Sequence, residues 1–95
     1  MPRRNYHGLM QVRVYGPLRG VVGQKDITIE FDGGTVDAAI DRFLEEYPRA
    51  ERFVREEDGS LPKSVQIRIE GSVVSLGDRC PATAELTIHP AIQGG

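Results

Sequence analysis

Between Met10 and His89 the spacing of apolar residues changes three times, and each change marks an element. "MQVRVYG" alternates, placing Met10, Val12 and Val14 on one side and Gln11, Arg13 and Tyr15 on the other. This is the period of a half-buried strand. "DITIEFD" repeats it through Ile27, Ile29 and Phe31. The intervening "GPLRGVVGQK", with three glycines and a proline, reads as a loop or wide hairpin turn between two paired strands. After Gly33 and Gly34 the period lengthens to that of a helix, because Val36, Ala39, Ile40, Phe43, Leu44 and Tyr47 share one helical face. Thr35 stands at the N-cap, Asp37 lies in the first turn, and Pro48 stops the helix.

The following "RAERFVREEDGSLPK" is charge-rich and predicts a short helical turn and a loop anchored by Phe53 and Val54. Alternation then returns in "VQIRIE" through Val65, Ile67 and Ile69, in a short strand at "SVVSL", and in "ELTIH" through Leu86 and Ile88. The order strand, strand, helix, strand, short strand, strand gives an α+β roll, a mixed sheet of four to five strands packed on one main helix. The last strand belongs in the centre of the sheet beside the first, so everything after Pro90 projects past the rim. The chain divides into a flexible N-terminal extension at 1–9, a domain at 10–90 and a flexible tail at 91–95.

Composition narrows the function classes. A chain of 95 residues forms one modest domain, and a net charge of −2 supplies no global basic field for nucleic acid. Five basic residues and no acidic one precede Asp26, a pattern read as a solvated basic end. Cys80 is alone and no apolar run suits a signal peptide or membrane helix, which predicts a cytoplasmic protein. His7, His89 and Cys80 lack metal-ligand spacing, so no metal is expected. Cys80 has no neighbouring His and reads as an ordinary small side chain rather than a nucleophile. Asp41, Arg42, Glu45 and Glu46 read as a solvated helix face. "DGGT" lacks the lysine and spacing of a phosphate loop and reads as a turn. No nucleophile, base and orienting group converge, so the chain is not expected to be an enzyme.

The segments "MQVRVYGPLR", "GGTVDAAIDRFLEEYP", "VQIRIEG" and the closing "IHPAIQGG", in that order over residues 10 to 95, resemble the ubiquitin-like β-grasp fold. Within it the chain looks like the MoaD/ThiS sulfur carriers and the related small archaeal and bacterial protein modifiers. Two departures from the carriers are Glu70-Gly71 after the third strand, where many have Asn-Gly, and "GDRCPATAE" before the last strand. The resemblance implies that an E1-like adenylating enzyme uses ATP to activate the carboxylate of Gly95, with no cofactor bound by the chain itself. Gly94 and Gly95 thread a narrow slot where side chains would clash, and Pro90, Ala91, Ile92 and Gln93 form the base of the threaded arm.

Three outcomes stay open at this point. In the first, a sulfur carrier, Gly95 becomes a thiocarboxylate and serves a sulfur-acceptor enzyme or synthase large subunit, as in molybdopterin biosynthesis. The second is a covalent modifier, with Gly95 joined to lysines of target proteins by an isopeptide bond. A non-covalent β-grasp interaction module is the third. Val73, Val74 and Leu76 are the candidate docking patch, set against plain core filling. Lys25 and Lys63, the only lysines, are the possible self-acceptors.

Overall fold

The computed structural model describes residues 8–90, the side chain of Pro90 excepted. Strand β1 (Leu9–Val14) is followed by helix α1 (Pro17–Val22) and strand β2 (Asp26–Glu30). A two-residue strand β3 (Gly34–Thr35) leads into helix α2 (Val36–Glu46). A 3-10 turn at Pro48–Ala50 continues into helix α3 (Glu51–Val54). Strands β4 (Val65–Ile69), β5 (Ser72–Val74), β6 (Arg79–Cys80) and β7 (Glu85–Pro90) complete the chain. Five of these strands form one mixed sheet in the order β2-β1-β7-β4-β5, and β3 pairs with β6 in a small second sheet.

β7 lies in the centre of the sheet, as its alternation predicts. It runs parallel to β1, with Val12 opposite Leu86 and Val14 opposite Ile88, and antiparallel to β4, with Ile67 opposite Ile88. Period-two patterning puts Met10, Val12, Val14, Ile27, Ile29, Ile67, Leu86 and Ile88 on one face, where they form a single cluster with Val36, Ala39, Ile40 and Phe43 of α2. Ten of these twelve are 1% exposed or less, and each fully buried side chain of this size contributes roughly 1.5–3 kcal/mol.

The segment read as a loop after β1 contains a helix. Pro17 occupies the first turn of α1, where its missing N–H costs nothing, and Leu18 is fully buried. Gly23, at φ 95°, ends the helix in a left-handed cap and donates its N–H to the carbonyl of Arg19. The proline and glycine that suggested a loop are therefore the punctuation of a helix. Val21 and Val22 join Leu18 against the core, but in six residues that helical spacing is too brief to stand out.

α2 begins as its sequence predicts and ends as Pro48 requires. Thr35 Oγ1 accepts the N–H of Ala38 at 3.0 Å. The N–H groups of Val36 and Asp37 donate to the carbonyls of Asp78 and Leu76, both at 2.8 Å. These donors have no partner within a helix, and the β5–β6 connection supplies one. "GDRCPATAE" thus opens with a helix cap and a strand, β6, that the sequence did not predict.

β1 starts at Leu9, one residue before the alternation suggested, and Gly8 is held tightly. A Cβ there would stand 2.7 Å from Ala82 Cβ and 2.9 Å from the carbonyl oxygen of Phe31. Only glycine lets the strand enter between those two backbones.

Candidate functional site

The candidate site is the end of the sheet where β1 and β7 finish side by side. Pro90, which has no N–H to give a ladder, is the last residue of a central strand and lies opposite Val65. Ala91, Ile92, Gln93, Gly94 and Gly95 lie outside the described residues, so the structure defines where the tail is rooted. Arg3 and Arg4 likewise lie outside them.

Two aromatic rings from adjacent strand ends meet at this root. Tyr15 and His89 stack with centroids 4.7 Å apart and planes 22° from parallel. Lys25 Nζ stands 5.7 Å from the centroid of the Tyr15 ring, within cation–π range. Beside Pro90 lies a groove of about 420 Å³ lined by Leu61, Lys63, Val65, Val73, Val74 and His89. It opens because β5 is only three residues long and leaves the Val65 end of β4 uncovered on that side.

The proposed docking residues fall in different settings. Val73 is 59% exposed and stands on the outer face of the sheet opposite Arg68. Val74 is partly buried in the groove wall. Leu76 packs against the core, and its carbonyl caps α2. Lys25 and Lys63 are both exposed, on the two flanks of the tail root. Leu9, also 59% exposed, is a second apolar side chain that the sequence reading had not singled out.

Elsewhere the charges are used to hold loops and strands. Arg55 is 9% exposed and joins Asp37 Oδ1 at 2.7 Å and Asp41 Oδ1 at 2.6 Å. It also donates to the carbonyls of Asp37 and Gly59, which ties the 55–64 loop to α2. Burial works against its charge, but hydrogen bonds and attraction from Asp37 and Asp41 outweigh this and raise its pKa. Arg13 pairs with Asp26 at 2.7 Å across β1 and β2, and that bond is the main cause of its raised pKa. Asp41, expected on a solvated face, is exposed there and also serves as one jaw of a clasp.

Cys80 is buried with its sulfur 3.7 Å from Met10 Sδ, and desolvation raises its pKa above the usual thiol value. It is held as a thiol, which is not a nucleophile. Among the described residues no three His, Cys, Asp or Glu side chains gather as a metal would require. No helix among them is long and apolar enough to cross a membrane.

Tyr15, His89 and Leu61 are not among the site residues that the sequence pattern points to. Tyr15 and His89 are outward positions at the ends of two strands expected to be neighbours, and that pairing was the available signal. Leu61 carries no periodic signal, since it sits in an irregular loop.

No protein-family model and no curated protein matches the chain. Solved structures do. SAMP1 of Haloferax volcanii aligns with a TM-score of 0.85 at 28% identity, covering 93% of this chain and all of that one. A chain of the BexX/CysO complex of Amycolatopsis orientalis aligns at 0.77 and 23% identity, over 90% of this chain and 99% of that one. A putative molybdopterin converting factor subunit 1 of Pyrococcus furiosus aligns at 0.70 and 19% identity, with the same coverage. The β-grasp architecture expected from the order of elements is the one these proteins share. The chain is thus a ubiquitin-like β-grasp protein that resembles the small archaeal modifiers and shares its fold with MoaD-like molybdopterin converting factors.

Proposed function

We propose that the chain is a cytoplasmic ubiquitin-like sulfur carrier, a substrate rather than a catalyst, whose Gly95 carboxylate is activated by an E1-like enzyme. The observation that carries this reading is the central position of β7, which roots the tail at Pro90 in a strand paired on both sides. A carboxylate is ionised at neutral pH and resists nucleophiles until its oxygen becomes part of a leaving group. The Gly95 carboxylate attacks the α-phosphorus of ATP and pyrophosphate departs. Hydrosulfide then adds to the acyl-adenylate carbonyl and expels AMP, leaving a thiocarboxylate. Gly94 and Gly95 enter the enzyme's slot without side chains, Pro90, Ala91, Ile92 and Gln93 span the rim, and the Val73–Val74 groove meets the partner.

A second reading, the covalent modifier, is supported by the likeness to SAMP1, the small archaeal modifier protein 1 of Haloferax volcanii, a second structure of which aligns at 26% identity. There a lysine ε-amine captures the same acyl-adenylate. Intact mass measurement after incubation with ATP, sulfide and the adenylating enzyme tests the first reading by the exchange of one terminal oxygen for sulfur. Lysine peptides carrying a Gly-Gly remnant in cell extracts test the second. Deleting Gly94 and Gly95 is expected to abolish both products with an unchanged Tm. Persistence of either product after that deletion overturns activation at the tail.

A further inference from the structure

A second depression is larger than the groove beside Pro90. It lies between α1 and the 3-10 turn with α3, has a volume of about 750 Å³, and uses Pro17, Gly20, Val21 and Pro48 as an apolar floor. Arg49, Glu51 and Arg52 form its rim. Arg13, Arg42 and Arg55 each close on a carboxylate. Arg49 and Arg52 make no ion pair among the described residues, and Arg52 rests instead over the Phe53 ring at 5.2 Å. In a chain with 14 acidic residues, two unpaired arginines on one rim with a single acid between them are a local positive excess.

The groove also lies at the end of the molecule from which the tail departs. β1 and β7 are parallel, and α1 begins three residues after β1 ends, just past the Tyr15–His89 stack. Five residues beyond Pro90 reach at most about 17 Å. An enzyme that takes Gly95 into its active site must therefore press against the surface around Pro90, where α1 lies.

We infer that the groove between α1 and the 3-10 turn is a docking site for an acidic segment, with an apolar side chain at its centre, on the enzyme that adenylates the tail. Carboxylates of that segment meet Arg49 and Arg52, and its apolar side chain covers Pro17, Val21 and Pro48. A phosphate backbone would engage the arginines but leave the apolar floor in water, so a peptide fits the groove better than a nucleic acid. This inference rests on the reading of Gly95 as the activated group.

The test is ATP–pyrophosphate exchange by the adenylating enzyme at increasing concentrations of the full chain, in low and moderate salt. For the double variant Arg49→Glu and Arg52→Glu, KM is expected to rise about tenfold or more at low salt with kcat unchanged, because rim charges govern encounter rather than chemistry. Salt should raise the KM of the parent chain and barely change that of the variant. Arg49→Lys with Arg52→Lys should restore most of the affinity, and the Tm of both doubles should match the parent. An equal KM for parent and reversed variant overturns the docking site, as does a loss confined to kcat or a salt-insensitive parent. If the parent chain is not adenylated at all, the reading of the tail fails first, and the occupant assigned to the groove fails with it.

Discussion

The two ends of α2 are finished in opposite ways. At its amino end Thr35, Asp78 and Leu76 satisfy successive backbone donors, and Arg55 locks Asp37 and Asp41 to the loop that follows α3. Beyond its carboxyl end the chain turns into a short segment with two exposed arginines, Arg49 and Arg52, around an open groove. One residue type thus does two jobs. Buried in a ring of acceptors, arginine fastens the fold; left over a groove, it is available to another molecule. Side-chain hydrogen bonds and ion pairs fasten the closed end, and arginines without an ion pair stand at the open one.

Four substitutions and one titration separate the two ends. Phe43→Ala removes a fully buried ring that both ends depend on, and should cost about 3–5 kcal/mol by denaturant unfolding. A smaller loss would mean that the core collapses around the site. Arg55→Ala strips four hydrogen-bonded contacts from the closed end and should cost about 2 kcal/mol, with Arg55→Lys recovering part of it. Thr35→Ala should cost about 1 kcal/mol through loss of the cap. Arg49→Ala, at the open end, should change stability by less than about 0.5 kcal/mol. A loss as large as that of Arg55→Ala would erase the distinction between the two ends.

The smallest effect belongs to Asp58 in the clasped loop. Its carboxylate accepts from the hydroxyl of Ser60 at 2.6 Å and from its N–H, the hydroxyl contributing more, and its pKa is lowered. A lowered folded pKa contributes stability above the unfolded value and loses it as pH falls through the folded one. Asp58→Asn should therefore unfold slightly earlier than the parent at neutral pH. The two curves should merge in strong acid.

Much of this layout could be read directly. Alternation identified four of the strands in the main sheet, and the period of Val36 to Tyr47 identified α2, because both elements bury one face against the same cluster. The central place of β7 followed from its flanking apolar positions. α1 stayed hidden because its apolar residues, Leu18, Val21 and Val22, have a helical spacing that lasts little more than one turn between a proline and glycines. β3 and β6 stayed hidden because two-residue strands are set by tertiary pairing, Gly34 with Cys80 and Thr35 with Arg79. The Arg55 clasp joins residues 14 and 18 positions apart, beyond any helical spacing, and only the returning loop brings them together. At the tail root Pro90 and Val73 were legible from their order and exposure pattern. The Tyr15–His89 stack needed the parallel register of two strands from opposite ends of the chain.

That register also constrains how the sheet is completed. β1–β2 and β4–β5 share no edge and are joined in one sheet only through β7. Until β7 inserts between β1 and β4 the two pairs stay separate as sheets, so the strand that roots the tail is also the keystone of the sheet, and its pairing spans the longest sequence separations.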